Sequence, residues 1–131
     1  MDYGYLMDEA RRARKAAYAP YSGFQVGAAL LCSDGSIFTG CNVENASYGA
    51  ANCAERTAFF KAVSEGKRSF RAIAVVGGRE DAEHLDPCPP CGICSQVMQE
   101  FCGEDFVIVL GNDSVDYELH TLREIFPLPF Q

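Results

Sequence analysis

Three cysteines and one glutamate stand at spacings that could build a catalytic metal site. Cys53 and Glu55 are separated by a single residue, and the later motif P-C-G-I-C supplies Cys91 and Cys94. Three thiolates fill three of the four tetrahedral positions that Zn²⁺ prefers, which leaves one position for water. A carboxylate two residues from the first thiolate could carry protons to and from that water. The spacing therefore predicts one catalytic Zn²⁺ per chain, with Glu55 as the proton carrier.

A second P-C-x-x-C register competes for the metal, because Cys88 lies three residues before Cys91. Zinc thiolates are stabilised by nearby backbone N–H groups, and Pro89 and Pro90 have none to offer a site built on Cys88. The residues after Cys91 do have N–H groups, at the predicted start of a helix whose dipole favours a thiolate. Cys91 and Cys94 are therefore the predicted ligands. The alternative, in which Cys88 completes a closed four-thiolate site, describes a non-catalytic zinc-binding module.

The composition is that of a soluble globular protein. Its 131 residues are enough for a single domain, predicted to span 1–131, with an apolar fraction of 48% to supply the core. A net charge of −7 argues against a nucleic-acid polymer as partner, since phosphate binding depends on Lys and Arg. The sequence shows neither signal-peptide regions nor an apolar run of membrane-spanning length. Seven cysteines in this setting indicate reduced thiols and a cytoplasmic location.

Hydrophobic periodicity and turn residues predict the elements that must position these residues. Four helices are predicted: one ending before Pro20, one from about Asn52 to Gly66, one opened by Cys91, and one from Thr121 to Phe126. Five strands are predicted, at 24–32, 37–43, 72–76, 106–110 and, more weakly, 115–119. The order of these elements predicts a layered α/β domain in which helices cover a mixed sheet.

Further motifs accompany the metal-binding ones over nearly the whole chain. They are a block at 20–29 that includes P-Y-S and V-G-A-A, G-C-N-V-E-N-A-S-Y at 40–48, and C-A-E-R-T-A at 53–58. With P-C-G-I-C, they resemble the small, homotetrameric class of cytidine deaminases. The resemblance implies a three-layer α/β/α domain and zinc-dependent hydrolysis of cytidine and deoxycytidine to uridine and deoxyuridine, with release of ammonia, in pyrimidine salvage.

The resemblance also assigns roles around the metal. Glu55 is the catalytic residue, and Arg56 partly neutralises the zinc thiolates. A second arginine commonly follows the last zinc cysteine in this family, and here that position is Ser95. Because three thiolates leave the zinc site with a net negative charge, this replacement removes a cation that would offset it.

Substrate contacts are predicted at the end of the second strand. Asn42 and Glu44 alternate there, so they face the same side, and an amide with a carboxylate can hold sugar hydroxyls. In the family these positions bind the ribose and Phe24 packs against the nucleoside. Without the metal site, a solvated hairpin end would be the more ordinary interpretation. The other substrate-binding positions implied by the resemblance are Tyr48, Ala54 and, from a neighbouring subunit, Phe130.

The tail at 126–130 is too apolar to lie in water, so it packs either on its own domain or against another subunit. The resemblance implies the second, in a homotetramer with shared active sites. The expected partner is a small nucleoside, with no nucleic-acid polymer and no membrane. One alternative is a deaminase of a modified aminated nucleoside of the blasticidin type, which Ser95 keeps open. The intact pair Asn42 and Glu44 favours an ordinary ribose. Phe126 is the alternative to Phe130 as the aromatic residue that reaches the neighbouring site.

Overall fold

A five-stranded sheet forms the centre of the computed structural model, which describes residues 2–130. The strands are β1 (Phe24–Cys32), β2 (Ile37–Cys41), β3 (Phe70–Arg79), β4 (Val107–Gly111) and β5 (Tyr117–Thr121). They are ordered β2-β1-β3-β4-β5 across the sheet. β3 and β4 pair in parallel, and the other neighbouring strands pair antiparallel. The predicted mixed sheet is confirmed.

Helices cover both faces of this sheet. They are α1 (Gly4–Arg14), α2 (Ala54–Ser64), α3 (Gly92–Phe101) and the short α4 (Leu122–Ile125). Successive residues of β1 point to opposite faces: Ala28 joins a core with Phe59 of α2 and Met98 of α3, while Ala29 joins a second core with Leu6 of α1. Because each face of the sheet is buried by its own helices, the domain has three layers.

Two glycines allow the helices to lie directly on the strands. A Cβ atom at Gly27 of β1 would lie 2.1 Å from the Ala10 carbonyl oxygen of α1. A Cβ atom at Gly40 of β2 would lie 2.4 Å from the Ala54 carbonyl oxygen, in the first turn of α2. The second contact sets the height of α2 above the sheet, and therefore the position of Cys53 just before it.

The structure corrects several predicted bounds. β3 was expected to close at Gly77 and Gly78, but it continues through both because they pair with Val26 and Gln25 of β1. The strand predicted at 37–43 ends at Cys41, and the helix predicted up to Pro20 ends at Arg14. The loop expected at 45–49 contains a short 3-10 helix at Tyr48–Ala50. The strands expected at 106–110 and 115–119 lie at Val107–Gly111 and Tyr117–Thr121.

The state of the chain's cysteines agrees with the expectation of reduced thiols. All seven cysteines are free thiols. Cys32 is buried, and burial raises the pKa of Cys102 to about 12, as expected for cysteines that act as small hydrophobic residues.

Within residues 2–130, no helix combines the length and apolar character needed to cross a membrane.

Candidate metal centre and active-site cavity

The three predicted ligands meet at one point. The Sγ atoms of Cys53, Cys91 and Cys94 lie within 4.8 Å of one another, and those of Cys53 and Cys91 are 3.8 Å apart. Two sulfurs that each lie about 2.3 Å from a tetrahedral Zn²⁺ are about 3.8 Å from each other. The Cys53 and Cys91 sulfurs therefore already have the separation that a zinc ion requires, and thiolate is the ligand type that zinc accepts readily.

Helix starts explain why these residues converge. Cys53 is the N-cap of α2 and Cys91 is the N-cap of α3, both with extended backbone, and Cys94 lies in the first turn of α3. The first N–H groups of a helix have no partner within the helix, and its dipole places partial positive charge at this end. Two helix ends of this kind flank the sulfur cluster, and both favour the thiolate form.

Arg56 supplies the positive side chain of the site. Its Nη2 atom donates a hydrogen bond to Cys53 Sγ over 3.3 Å. A hydrogen bond from the Cys94 thiol and the Arg56 charge together lower the pKa of Cys53 to about 5, and the same bond raises the pKa of Cys94. The Nε atom of Arg56 is buried without a hydrogen-bond partner. A guanidinium held in this way is stabilised by adjacent negative charge, which zinc-bound thiolates supply.

Glu55 is the buried carboxylate of the site, with only 5% of its surface exposed, in the first turn of α2. Burial raises the pKa of Glu55 to about 7, and the negative charge of Cys53 acts in the same direction. A carboxyl group that titrates near neutral pH can both accept and release a proton under physiological conditions. Its position next to a predicted metal ligand suits it to acid–base chemistry.

A cavity of about 430 Å³ opens beside the sulfur cluster. It brings together most of the residues selected from the sequence, namely Asn42, Glu44, Tyr48, Cys53, Ala54, Glu55, Arg56 and Cys91. Five residues that also line it were not predicted as site residues: Val26, Val43, Ala51, Asn52 and Ile93. Only their closeness to the motifs in the chain could have indicated them. The cavity is large enough for a small ligand that touches both the carboxylates and the metal site.

Phe24 and Phe130 lie outside this lining. Phe24 contributes to a neighbouring depression of about 510 Å³, which shares Cys88 and Pro89 with the main cavity. Phe130 is 82% exposed in the C-terminal tail, and its backbone exchanges two hydrogen bonds with the Gln96 side chain of α3. Within one chain, neither ring therefore lines the wall of the main cavity.

The Asn42 side chain makes two hydrogen bonds to the backbone of β1 that the sequence did not predict. Its Oδ1 atom accepts a hydrogen bond from the Val26 N–H over 2.8 Å, and its Nδ2 atom donates to the Phe24 carbonyl oxygen over 2.9 Å. The side-chain amide therefore continues the pairing of β1 beyond the end of β2. One amide N–H stays available for a ligand, because an Asn side chain carries two.

Cys88 lies close to the site without joining the sulfur group. It lines the main cavity, but the group of potential metal ligands found in residues 2–130 consists of Cys53, Cys91 and Cys94. Burial raises the pKa of Cys88 to about 11, whereas the raised pKa of Cys94 results first from its hydrogen bond to Cys53 within the sulfur group. His84 and His120 are outside the group as well, each beside an acidic residue. The geometry thus describes a three-thiolate site.

A three-thiolate site with an adjacent buried carboxylate, set on a mixed sheet with helices on both faces, is the arrangement of the zinc-dependent deaminases. The family model for the cytidine and deoxycytidylate deaminase zinc-binding region matches residues 1–110. The chain therefore belongs to the cytidine and deoxycytidylate deaminase family. The predicted cofactor, zinc, and the predicted class of enzyme, a hydrolytic deaminase, are confirmed with it.

Individual relatives agree along the whole chain. A cytidine deaminase of Halalkalibacterium halodurans is 55% identical over 130 residues, covering 99% of this chain and 95% of the relative. One from Sporosarcina psychrophila is 51% identical, covering 99% and 92%. The crystal structure of a Burkholderia pseudomallei cytidine deaminase superposes with a TM-score of 0.88 at 48% identity, covering 99% and 100%. By contrast, a blasticidin-S deaminase of Bacillus cereus is 28% identical over 108 residues, covering 80% of this chain and 76% of the relative.

Proposed function

We propose that this protein hydrolyses cytidine and deoxycytidine to uridine and deoxyuridine, with release of ammonia, and serves pyrimidine salvage in the cytoplasm. The observation that carries the proposal is a buried carboxyl group, Glu55, in the same cavity as the ligand sulfurs Cys53 and Cys91. The cavity volume of about 430 Å³ suits a single nucleoside. The greater identity to cytidine deaminases than to the blasticidin-S deaminase supports an ordinary nucleoside as substrate.

In this proposal Cys53, Cys91 and Cys94 hold the zinc. When bound, the metal supplies Lewis-acid activation of the water that attacks C4 of the cytosine ring. Glu55 accepts a proton from that water and delivers it to N3, so that charge does not accumulate on the ring. Glu55 then carries the second proton of the water to the amino group, which leaves as ammonia. Its pKa of about 7 in the buried site suits both transfers.

The sugar is held at the other end of the cavity. Asn42 offers its free amide N–H and Glu44 its carboxylate to sugar hydroxyls, while the backbone at Ala54 and Pro89 holds the edge of the base. Tyr48 contributes to the wall around the substrate. The negative charge of Glu44 disfavours a phosphate nearby, which favours a nucleoside over a nucleotide.

We propose further that the protein is a homotetramer with shared active sites. Leu128 and Phe130 are 91% and 82% exposed, an unfavourable setting for apolar side chains unless another subunit covers them. The two hydrogen bonds between the Gln96 side chain and the Phe130 backbone hold the tail in place and leave the Phe130 ring free to contact a neighbouring subunit. Phe24 would meet the nucleoside where the two depressions join. Sizing chromatography or light scattering showing a monomer would contradict the tetramer.

The variant Glu55→Gln tests the catalytic assignment. It should keep zinc and lose deaminase activity by about two to four orders of magnitude, the range that general acid–base catalysis contributes. Absorbance follows the conversion of cytidine and deoxycytidine, and zinc is quantified in the same samples. Glu100→Gln, at an exposed position of α3, is the matched control and should be fully active. Activity of Glu55→Gln close to that of the wild type would show that Glu55 is not the proton carrier.

A further inference from the structure

Glu44 is held from one side by a short turn of the chain. The backbone N–H groups of Tyr21 and Ser22 donate to its Oε1 atom over 2.9 and 3.1 Å. The Ser22 hydroxyl donates to Oε2 over 2.5 Å. Three donors from two adjacent residues therefore fix both oxygens of the carboxylate. These bonds, led by the one from the Ser22 hydroxyl, hold the pKa of Glu44 below its usual value, so the carboxylate stays ionised.

The direction of the Ser22 hydroxyl is fixed by a further contact. Its Oγ atom accepts a hydrogen bond from the Phe24 N–H over 3.0 Å, so that its own proton is available for Glu44. The turn is anchored as well, because Arg79 donates to the Ser22 carbonyl oxygen over 3.2 Å. Gly23 adopts a φ of 69°, a conformation that favours glycine, and allows the chain to turn back into β1.

The acceptor sites of the carboxylate show what this arrangement leaves for a ligand. An ionised carboxylate offers about four lone-pair sites, two on each oxygen. The two backbone N–H groups occupy Oε1, and the Ser22 hydroxyl occupies one site on Oε2. One site on Oε2 is therefore left. Glu44 lines both the main cavity and an adjoining cavity of about 370 Å³ that Tyr21 and Ser22 also line.

We propose that Ser22 is a positioning residue, whose hydroxyl orients Glu44 so that the remaining acceptor site on Oε2 receives a hydroxyl of the substrate's sugar. This inference rests on the proposed function, since it assumes a nucleoside in the main cavity. Ser22 acts on the sugar through Glu44 and leaves the reacting ring to Glu55. Its contribution should therefore depend on the sugar hydroxyls and not on the base.

The test compares Ser22→Ala with the wild type on two ligands that share the cytosine ring. Cytidine carries the 2′ and 3′ hydroxyls, and 2′,3′-dideoxycytidine lacks both. For Ser22→Ala we expect the KM for cytidine to rise about tenfold at nearly unchanged kcat. Without the Ser22 hydroxyl, Glu44 is no longer oriented, and the hydrogen bond between its charged carboxylate and the sugar hydroxyl is lost. The inhibition constant of 2′,3′-dideoxycytidine against cytidine turnover should change by less than about twofold. Ser22→Thr keeps a hydroxyl and should restore the cytidine KM.

Ser36→Ala is the matched control. The Ser36 hydroxyl donates to Asp34 over 2.6 Å and its N–H donates to the same oxygen, but this pair lies in the turn between β1 and β2. That variant should leave both constants unchanged. An equal loss for both ligands in Ser22→Ala, or no loss for either, would overturn the inference. Absence of cytidine turnover in the wild type would overturn the proposed function and this inference together, so the two failures are distinguishable.

Discussion

Replacing Glu55 by glutamine should make the zinc-free protein more stable, and the gain should depend on pH. Burial raises the pKa of Glu55 from 4.5 to about 7 in the folded chain. Between these two values the unfolded chain has released the proton while the folded chain still holds it. The free energy of unfolding of the wild type therefore falls as pH rises through this interval and levels off above about pH 7. Glutamine carries no titrating proton and avoids this loss.

The size of the effect follows from the same pKa values. At about 1.4 kcal/mol for each pKa unit, the interval from 4.5 to about 7 corresponds to about 3 kcal/mol. The side chain is 5% exposed, so solvent screening reduces this figure little. Glu55→Gln should thus match the wild type near pH 4.5 and exceed it by up to about 3 kcal/mol at pH 8.

Urea denaturation followed by circular dichroism measures the difference, at several pH values with a chelator, a reductant and one fixed protein concentration. Glu100→Gln removes a carboxylate from an exposed position of α3 and should track the wild type at every pH. If Glu55→Gln and the wild type differ by the same amount at pH 5 and pH 8, the cost of ionising Glu55 in its site is not what the structure indicates.

Three further predictions concern how the site is built. Gly40→Ala should lower the free energy of unfolding, measured by urea denaturation, by about 3 kcal/mol and reduce zinc content, because its Cβ would lie 2.4 Å from a carbonyl oxygen of α2. Gly49→Ala is the control and should change neither, because its Cβ would meet nothing within 4 Å. Cys88→Ser should retain zinc and Cys91→Ser should lose it in metal analysis; loss in both would support the four-thiolate alternative. Arg14→Met should lower the free energy of unfolding by about 3 kcal/mol, because the buried guanidinium donates hydrogen bonds to carbonyl oxygens of β1 and β3. An unchanged urea midpoint would contradict this prediction.

The metal site could be predicted from the sequence because its geometry is largely local. Cys53 and Cys91 each stand immediately before a helix, and a helix start is marked by the residues around it. Pro89 and Pro90 lack a backbone N–H, and this property of the backbone predicted Cys91 and Cys94 as the ligand pair in preference to Cys88 and Cys91. The structure then leaves Cys88 outside the sulfur group. Local rules sufficed here because the three predicted ligands lie at two helix starts, Cys53 at α2 and both Cys91 and Cys94 at α3.

The strand ends were less predictable because long-range pairing sets them. Gly77 and Gly78 are typical of a turn, yet they continue β3 because β1 lies beside them with partners for both. A Cβ atom at Gly77 would lie 2.7 Å from Cys88 Sγ, so the glycine also makes room for the loop before α3. Neither fact can be obtained from a window of neighbouring residues.

The residues predicted to bind substrate also make hydrogen bonds within the chain that the sequence did not predict. Asn42 was selected as a sugar contact, and the structure shows that its amide also bonds the backbone at Phe24 and Val26. The Glu44 carboxylate likewise accepts hydrogen bonds from Tyr21 and Ser22 in the turn before β1. Both side chains line the cavity and bond the backbone that surrounds it. Such double use depends on which backbone groups lack partners, and that is known only once the chain is folded.

Ser95 stands directly after Cys94, where the family commonly has a second arginine. Three thiolates exceed the charge of one Zn²⁺ by a single unit, and Arg56 bonded to Cys53 supplies one positive charge. The ends of α2 and α3 each add the equivalent of roughly half a positive charge close to the sulfurs. These contributions together more than offset the single excess negative charge, whereas a second guanidinium would need its own negative partner at a position where Ser95 is only 2% exposed. We therefore expect the site to tolerate serine, because α2 and α3 both begin at the predicted metal ligands.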